Sequence, residues 1–115
     1  MATAEAARVA QTYFDSWRAN DFDALRTILA DDVAFTGPLA QVVGADEYRD
    51  SLARLGAITT DIVVRRVFVD GPDVLTWFDL HTEVAPPIPV ANWCHVEDGK
   101  ITRVQVTFDP RGLAP

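Results

Sequence analysis

The stretch from Pro89 to Asp109 limits what this chain can fold into more than any other. It reads PVANWCHV, then EDG, then KITRVQVTFD. Two runs rich in β-branched and aromatic residues meet at Asp98-Gly99, a dipeptide that favours the left-handed backbone of a tight hairpin. A two-residue loop would put Trp93 and His95 on the face of Val104, Val106 and Phe108. A three-residue loop, Glu97-Asp98-Gly99 with Gly99 in the left-handed bulge position, instead joins Val90, Asn92, Cys94 and Val96 to that face. The second register is predicted, because a one-residue slip flips every side chain and only this register yields one mostly apolar face. Asn92 is then the polar exception on a buried face, and candidate chemistry starts there.

At 115 residues the chain is expected to form one domain spanning 1–115, enough to hide roughly two-thirds of its unfolded surface. A hydrophobic fraction of 49% excludes disorder, and no apolar run approaches the ~20 residues of a membrane span. A net charge of −7 argues against nucleic acid or an anionic membrane surface as partner, since both select basic patches. The opening MATAEAARVAQ lacks the apolar core of a signal peptide, so a cytoplasmic location is expected. Cys94 is the sole cysteine, which excludes an internal disulfide and a multi-thiolate metal site.

Apolar residues at three- and four-residue steps, Ala6, Val9, Ala10, Tyr13, Phe14 and Trp17, predict a helix over Thr3 to Ala19. Asn20-Asp21 breaks it, and Asp21 should cap a short helix over Phe22 to Ala30, ended by Asp31-Asp32. Val33 to Thr36 reads as a strand, Gly37 to Gly44 as a loop, and Ala45 to Leu55 as a third helix with Gly56 as C-cap. From Thr59 the period falls from 3.6 to 2, predicting strands over Asp61 to Val69, Val74 to Glu83, and Val90 onward. Gly71-Pro72-Asp73 is the first turn between them, and the proline-rich Ala85 to Pro89 is a stiff loop or sheet edge. Helices first and strands afterwards indicate an α+β fold, with helices packed on one face of a mostly antiparallel sheet.

In VLTWFDLHTE, Val74 to Glu83, the residues Trp77, Asp79, His81 and Glu83 share one strand face and Phe78 and Leu80 the other. If the sheet curves round the helices and its concave side is not filled, Trp77, Asp79, His81 and Asn92 would line a small-molecule pocket with the aromatics of the first helix. The plain alternative puts Asp79 and His81 on a solvated face. His81 and His95 suggest a metal site, but the chosen register sends His95 away from Asn92 and Cys94, and neither HExxH nor paired-cysteine spacing occurs. Scattered glycines form no phosphate cradle. What remains is proton chemistry, with Asp79 and His81 as acid or base, or simple binding.

The run VAQTYFDSWRANDFDALRTILADDVAFTGP resembles the opening of the NTF2-like superfamily, and VEDGKITRVQVTFDP is similar to its last hairpin. The closest resemblance is to the SnoaL-like group, related to steroid delta-isomerases, limonene-type epoxide hydrolases and polyketide cyclases. It implies a cone: three N-terminal helices on a curved sheet around an apolar cavity, commonly dimerised through the sheet's outer face. Against the isomerase pattern, Tyr13 matches the tyrosine of the oxyanion hole and Asn92 stands in the place of its acid. Gly37 stands where the base would be. Against the epoxide hydrolase pattern, Asp79 matches one aspartate, while Trp77 replaces the arginine and Val106 the second aspartate.

Together these readings predict a cofactor-free, metal-free pocket protein for a small apolar carbonyl compound, an isomerase, cyclase or dehydratase working by proton transfer. Asp79 or His81 would move the proton, Tyr13 and Asn92 would hold the developing oxyanion, and Trp17, Phe35, Trp77, Cys94, Val106 and Phe108 would form the wall. The alternatives are a non-catalytic ligand-binding module and a structural dimer module. In either case a homodimer is expected through an outer face carrying Trp93, His95, Ile101, Arg103 and Gln105.

Overall fold

A computed structural model describes residues 2–113. Helix α1, Ala2–Arg18, buries the stripe Ala6, Val9, Ala10, Tyr13, Phe14 and Trp17, as its three- and four-residue spacing dictates. The chain leaves it through Asn20, whose φ of 56° is a left-handed conformation that asparagine tolerates. Asp21 then caps α2, Phe22–Thr27, by accepting a hydrogen bond from the Ala24 amide at 3.1 Å.

Helix α2 stops earlier than its sequence suggests, and Asp31 and Asp32 lie inside strand β1, Leu29–Thr36. The sheet outcompetes the last helical turn: the Ile101 amide bonds to the Ile28 carbonyl at 2.8 Å, and Leu29 pairs in parallel with Ile101. Part of the expected loop, Gln41–Val43, is a short strand β2 that folds back on β1 at the sheet edge. Helix α3, Ala45–Gly56, turns Tyr48 and Leu52 inward. Gly56 is its last residue and not a left-handed cap. A Cβ there would lie 2.5 Å from the Phe22 ring and 2.9 Å from Asn20 Oδ1, so close packing of α3 on the α1–α2 corner explains the glycine.

Strands β3, Thr59–Asp70, and β4, Asp73–Thr82, turn about Gly71 at φ 57°. Strands β5, Ile88–Glu97, and β6, Lys100–Thr107, form the last hairpin. The six strands run in the order β2-β1-β6-β5-β4-β3, and only the β1–β6 pair is parallel. The three helices cover one face of this curved sheet, so the architecture is the expected α+β arrangement, with β1 and β2 lying between the second and third helices. Phe14 and Trp17 meet Phe78 edge-on at 5.1 and 5.9 Å, and Arg18 clamps the helix end to the Ile62 carbonyl at 2.9 Å.

The hairpin reaches its expected faces by another route. Asp98 and Gly99 are both left-handed, at φ 52° and 75°, and Glu97 pairs with Lys100, so the loop has two residues. An extra residue, Thr102, then bulges out between the Val96–Ile101 and His95–Arg103 pairs and resets the register. Val90, Asn92, Cys94 and Val96 accordingly share the buried face with Val104. Ile101 precedes the bulge and is buried too, correcting its expected place on the outer face. Among the described residues no helix is long and apolar enough to cross a membrane.

Candidate functional site

Between the helices and the sheet lies a hollow of about 70 Å³. Phe78, Leu80, Val90, Asn92 and Val106 form its floor, Tyr13 and Trp17 of α1 and Tyr48 and Leu52 of α3 its walls. Phe35, Phe108 and Leu113 line both this hollow and a wider outer groove of about 750 Å³, so the two spaces adjoin. The surface facing the hollow is almost wholly apolar, although Tyr13, Tyr48 and Asn92 are among its lining residues.

Among these residues the Tyr13 and Tyr48 hydroxyls share a hydrogen bond of 2.6 Å, both residues fully buried. Asn92, also buried, accepts a hydrogen bond from Cys94 Sγ at 3.1 Å through its Oδ1, leaving its amide NH₂ as donor. Burial pushes the Tyr13 phenol well above its ordinary value; a charge on Cys94 would raise it further, and hydrogen bonding from Tyr48 and Asn92 offsets this in part. Burial, and then its neighbour Tyr13, raise Tyr48 likewise. Burial alone pushes the Cys94 thiol up to about 12. At neutral pH the cluster is therefore uncharged and rich in donors, suited to an acceptor oxygen with partial negative charge. Phe35 stacks on Tyr48 at 4.8 Å and roofs Gly37, where a Cβ would come within 2.8 Å of its ring. No carboxylate or imidazole lines either space among the described residues.

The profile of the SnoaL-like domain family matches residues 10–104, most of the chain. The chain belongs to that family. Its structure is similar to an NTF2-like protein of unknown function from Cytophaga hutchinsonii, at 25% identity, covering 94% of this chain and 93% of that one with a TM-score of 0.85. It also resembles an LEH-like epoxide hydrolase from M. tuberculosis, at 24% identity, 96% and 87% coverage and a TM-score of 0.82. A ketosteroid isomerase-like protein from Kribbella flavida has 20% identity, 98% and 90% coverage and a TM-score of 0.79. Among curated proteins none matches the sequence.

In this SnoaL-like chain, Tyr13, Asn92, Trp17, Phe35, Val106 and Phe108 meet at the hollow, as their sequence positions suggest. Cys94 lies behind it, bonded to Asn92. Asp79, His81 and Trp77 do not reach it, which corrects their expected place inside. The register pairs Thr76 with Asn92 and Phe78 with Val90, so Val74, Thr76, Phe78 and Leu80 point inward and the alternate residues outward. Trp77 is 44% exposed, and Asp79 is held by Arg65 Nε at 2.9 Å on the outer face. Tyr48 is a further candidate to which the sequence pattern alone assigns no role; its signal is a lone phenol on the apolar stripe of α3, whose hydroxyl needs a partner when buried. Among the described residues no group of three or more His, Cys, Asp or Glu side chains is placed to hold a metal ion.

Proposed function

We propose that this SnoaL-like protein binds a small, largely apolar molecule carrying one hydrogen-bond acceptor such as a carbonyl. The observation that carries the reading is the neutral Tyr13–Tyr48 pair, which with Asn92 belongs to the residues lining an otherwise apolar hollow. With Tyr48 donating to Tyr13, the Tyr13 hydroxyl keeps its own proton for the ligand, and the chain of hydrogen bonds polarises it. The hollow itself holds only the acceptor end of a ligand; the body extends into the adjoining groove. The test is calorimetric titration with cyclohexenone and with its hydrocarbon counterpart methylcyclohexene. Cyclohexenone should bind more tightly, and Tyr13→Phe should weaken it about tenfold, as expected for loss of one buried hydrogen bond. Equal binding of the two compounds would refute the reading.

A second reading is proton-transfer catalysis of the isomerase, cyclase or dehydratase type. The same donors favour it, since they suit a developing oxyanion, but the lining offers no base, so the substrate would have to lose its proton to solvent. Deuterium appearing next to the carbonyl of bound cyclohexenone in D₂O, faster than in buffer, would favour catalysis; exchange at the buffer rate would favour binding alone. We further propose a homodimer through the outer sheet face. There Phe68, Leu75 and Trp93 follow one another across three strands with Trp77 beside them, a row of exposed apolar side chains on a curved surface. Arg103 stacks over Trp93 at 5.5 Å, with His95 and Gln105 at the margin.

A further inference from the structure

We infer that the ligand is an amphipathic carboxylate, its apolar body in the outer groove and its carboxylate at the rim against Arg54. This rests on the small-molecule reading above and narrows it to a chemical class. The groove is far larger than the hollow behind it, about 750 Å³ against about 70 Å³, so most of a ligand's contacts lie there. Its lining is mostly apolar, and Leu39 and Val84 among its residues are 49% and 59% exposed, more greasy surface than a bare solvent face calls for.

Arg54 is the single charged side chain of that lining. Its guanidinium donates to Ser51 Oγ at 3.1 Å and pairs with no carboxylate among the described residues. Glu47 and Asp50 share a separate shallow hollow on Arg54's other side, but Asp50 is already held by Arg49 at 3.0 Å. A carboxylate arriving along the groove would meet the fork of Arg54 with the Ser51 hydroxyl beside it, a geometry suited to bidentate pairing.

The other end of the space excludes the charge. Tyr13, Tyr48 and Asn92 are buried with no cation in the lining of the hollow, and an anion there would lose its hydration without a counter-charge. Arg54 follows Tyr48 by six residues on α3, about 9 Å along the helix axis, so an elongated molecule can reach both ends. Charge complementarity thus orients the ligand with its carboxylate at the rim and its neutral acceptor end toward the hollow.

The test is calorimetric titration of the whole protein with octanoate, 1-octanol and octylamine. Octanoate should bind about fivefold more tightly than octanol, the upper end for a partly exposed ion pair. Arg54→Gln should abolish that preference, and Arg54→Glu should transfer the preference to octylamine. Raising salt from about 50 to about 500 mM should weaken octanoate alone. If octanol binds as tightly as octanoate, or Arg54→Gln leaves the preference in place, the carboxylate assignment falls and the apolar pocket stands. If none of the three binds, the pocket reading falls and takes this inference with it.

Discussion

The Tyr13–Tyr48 pair allows a sharp quantitative test, because each hydroxyl can be removed without disturbing its ring. Tyr48→Phe keeps the stack on Phe35 at 4.8 Å, and Tyr13→Phe keeps the edge contacts with Phe14 and Trp17 at 4.9 and 6.2 Å. Each single variant leaves one buried hydroxyl without its 2.6 Å partner, which costs roughly 1–3 kcal/mol. The double variant leaves none, so it should cost no more than either single, and the coupling should be about 1–2 kcal/mol. Urea unfolding at constant m reads this directly. For a chain of this length each kcal/mol moves Tm by about 4 °C. A pH series adds a check. Both phenols are raised in the fold, so their stabilising contribution is intact below the ordinary phenol value near 10 and is lost as pH climbs through the elevated folded values. The double variant should lose stability less steeply there. If the two single costs simply add, the hydroxyls are not each other's partners, and the donor end of the site is misassigned.

Other expectations follow from packing and charge. Gly56→Ala would gain helix propensity but overpack against Phe22 and Asn20, for a net cost of roughly 1–2 kcal/mol in urea unfolding; a neutral or stabilising result would show that α3 does not need its close approach. His95 is raised by its hydrogen bond to Asp73 at 2.7 Å, then by Glu97, so its contribution is present below pH ~6.5 and fades as pH rises through the higher folded value. His95→Gln should flatten stability across that window by at most ~1 kcal/mol, the ceiling for a partly exposed pair. Trp93→Glu should convert a dimer to a monomer in gel filtration, and an unchanged elution volume would count against the outer-face interface.

Much of the architecture was legible because its signals are local. The stripe of α1 and the left-handed Asn20 are written in a few neighbouring residues, and the Asp98-Gly99 turn is a dipeptide signal. The misreadings arose where the answer lay in a distant strand. Ile28 and Leu29 look helical until Ile101 pairs with them, more than 70 residues later. The hairpin's apolar face was inferred correctly, yet a bulge at Thr102 that no residue type announces did the work assigned to a longer loop.

The site was harder, because strand parity is a single binary fact on which every assignment in β4 depends. VLTWFDLHTE offers apolar residues to both faces, Val74, Phe78 and Leu80 on one and Leu75 and Trp77 on the other, so alternation alone does not choose. The pairing of Asn92 with Thr76 decides it, and that pairing depends on the length and path of the proline-rich connection before β5. Once it is fixed, the titratable residues leave the interior together: Asp79 goes to Arg65 and His81 faces out with it, while the interior keeps neutral donors. A strand acid turned outward can still stabilise the sheet through an ion pair, but it cannot take a proton from anything under the helices. On the binding reading proposed above, hydroxyl and amide donors set the chemistry open to this pocket, and an anion stops at the rim, where Arg54 stands.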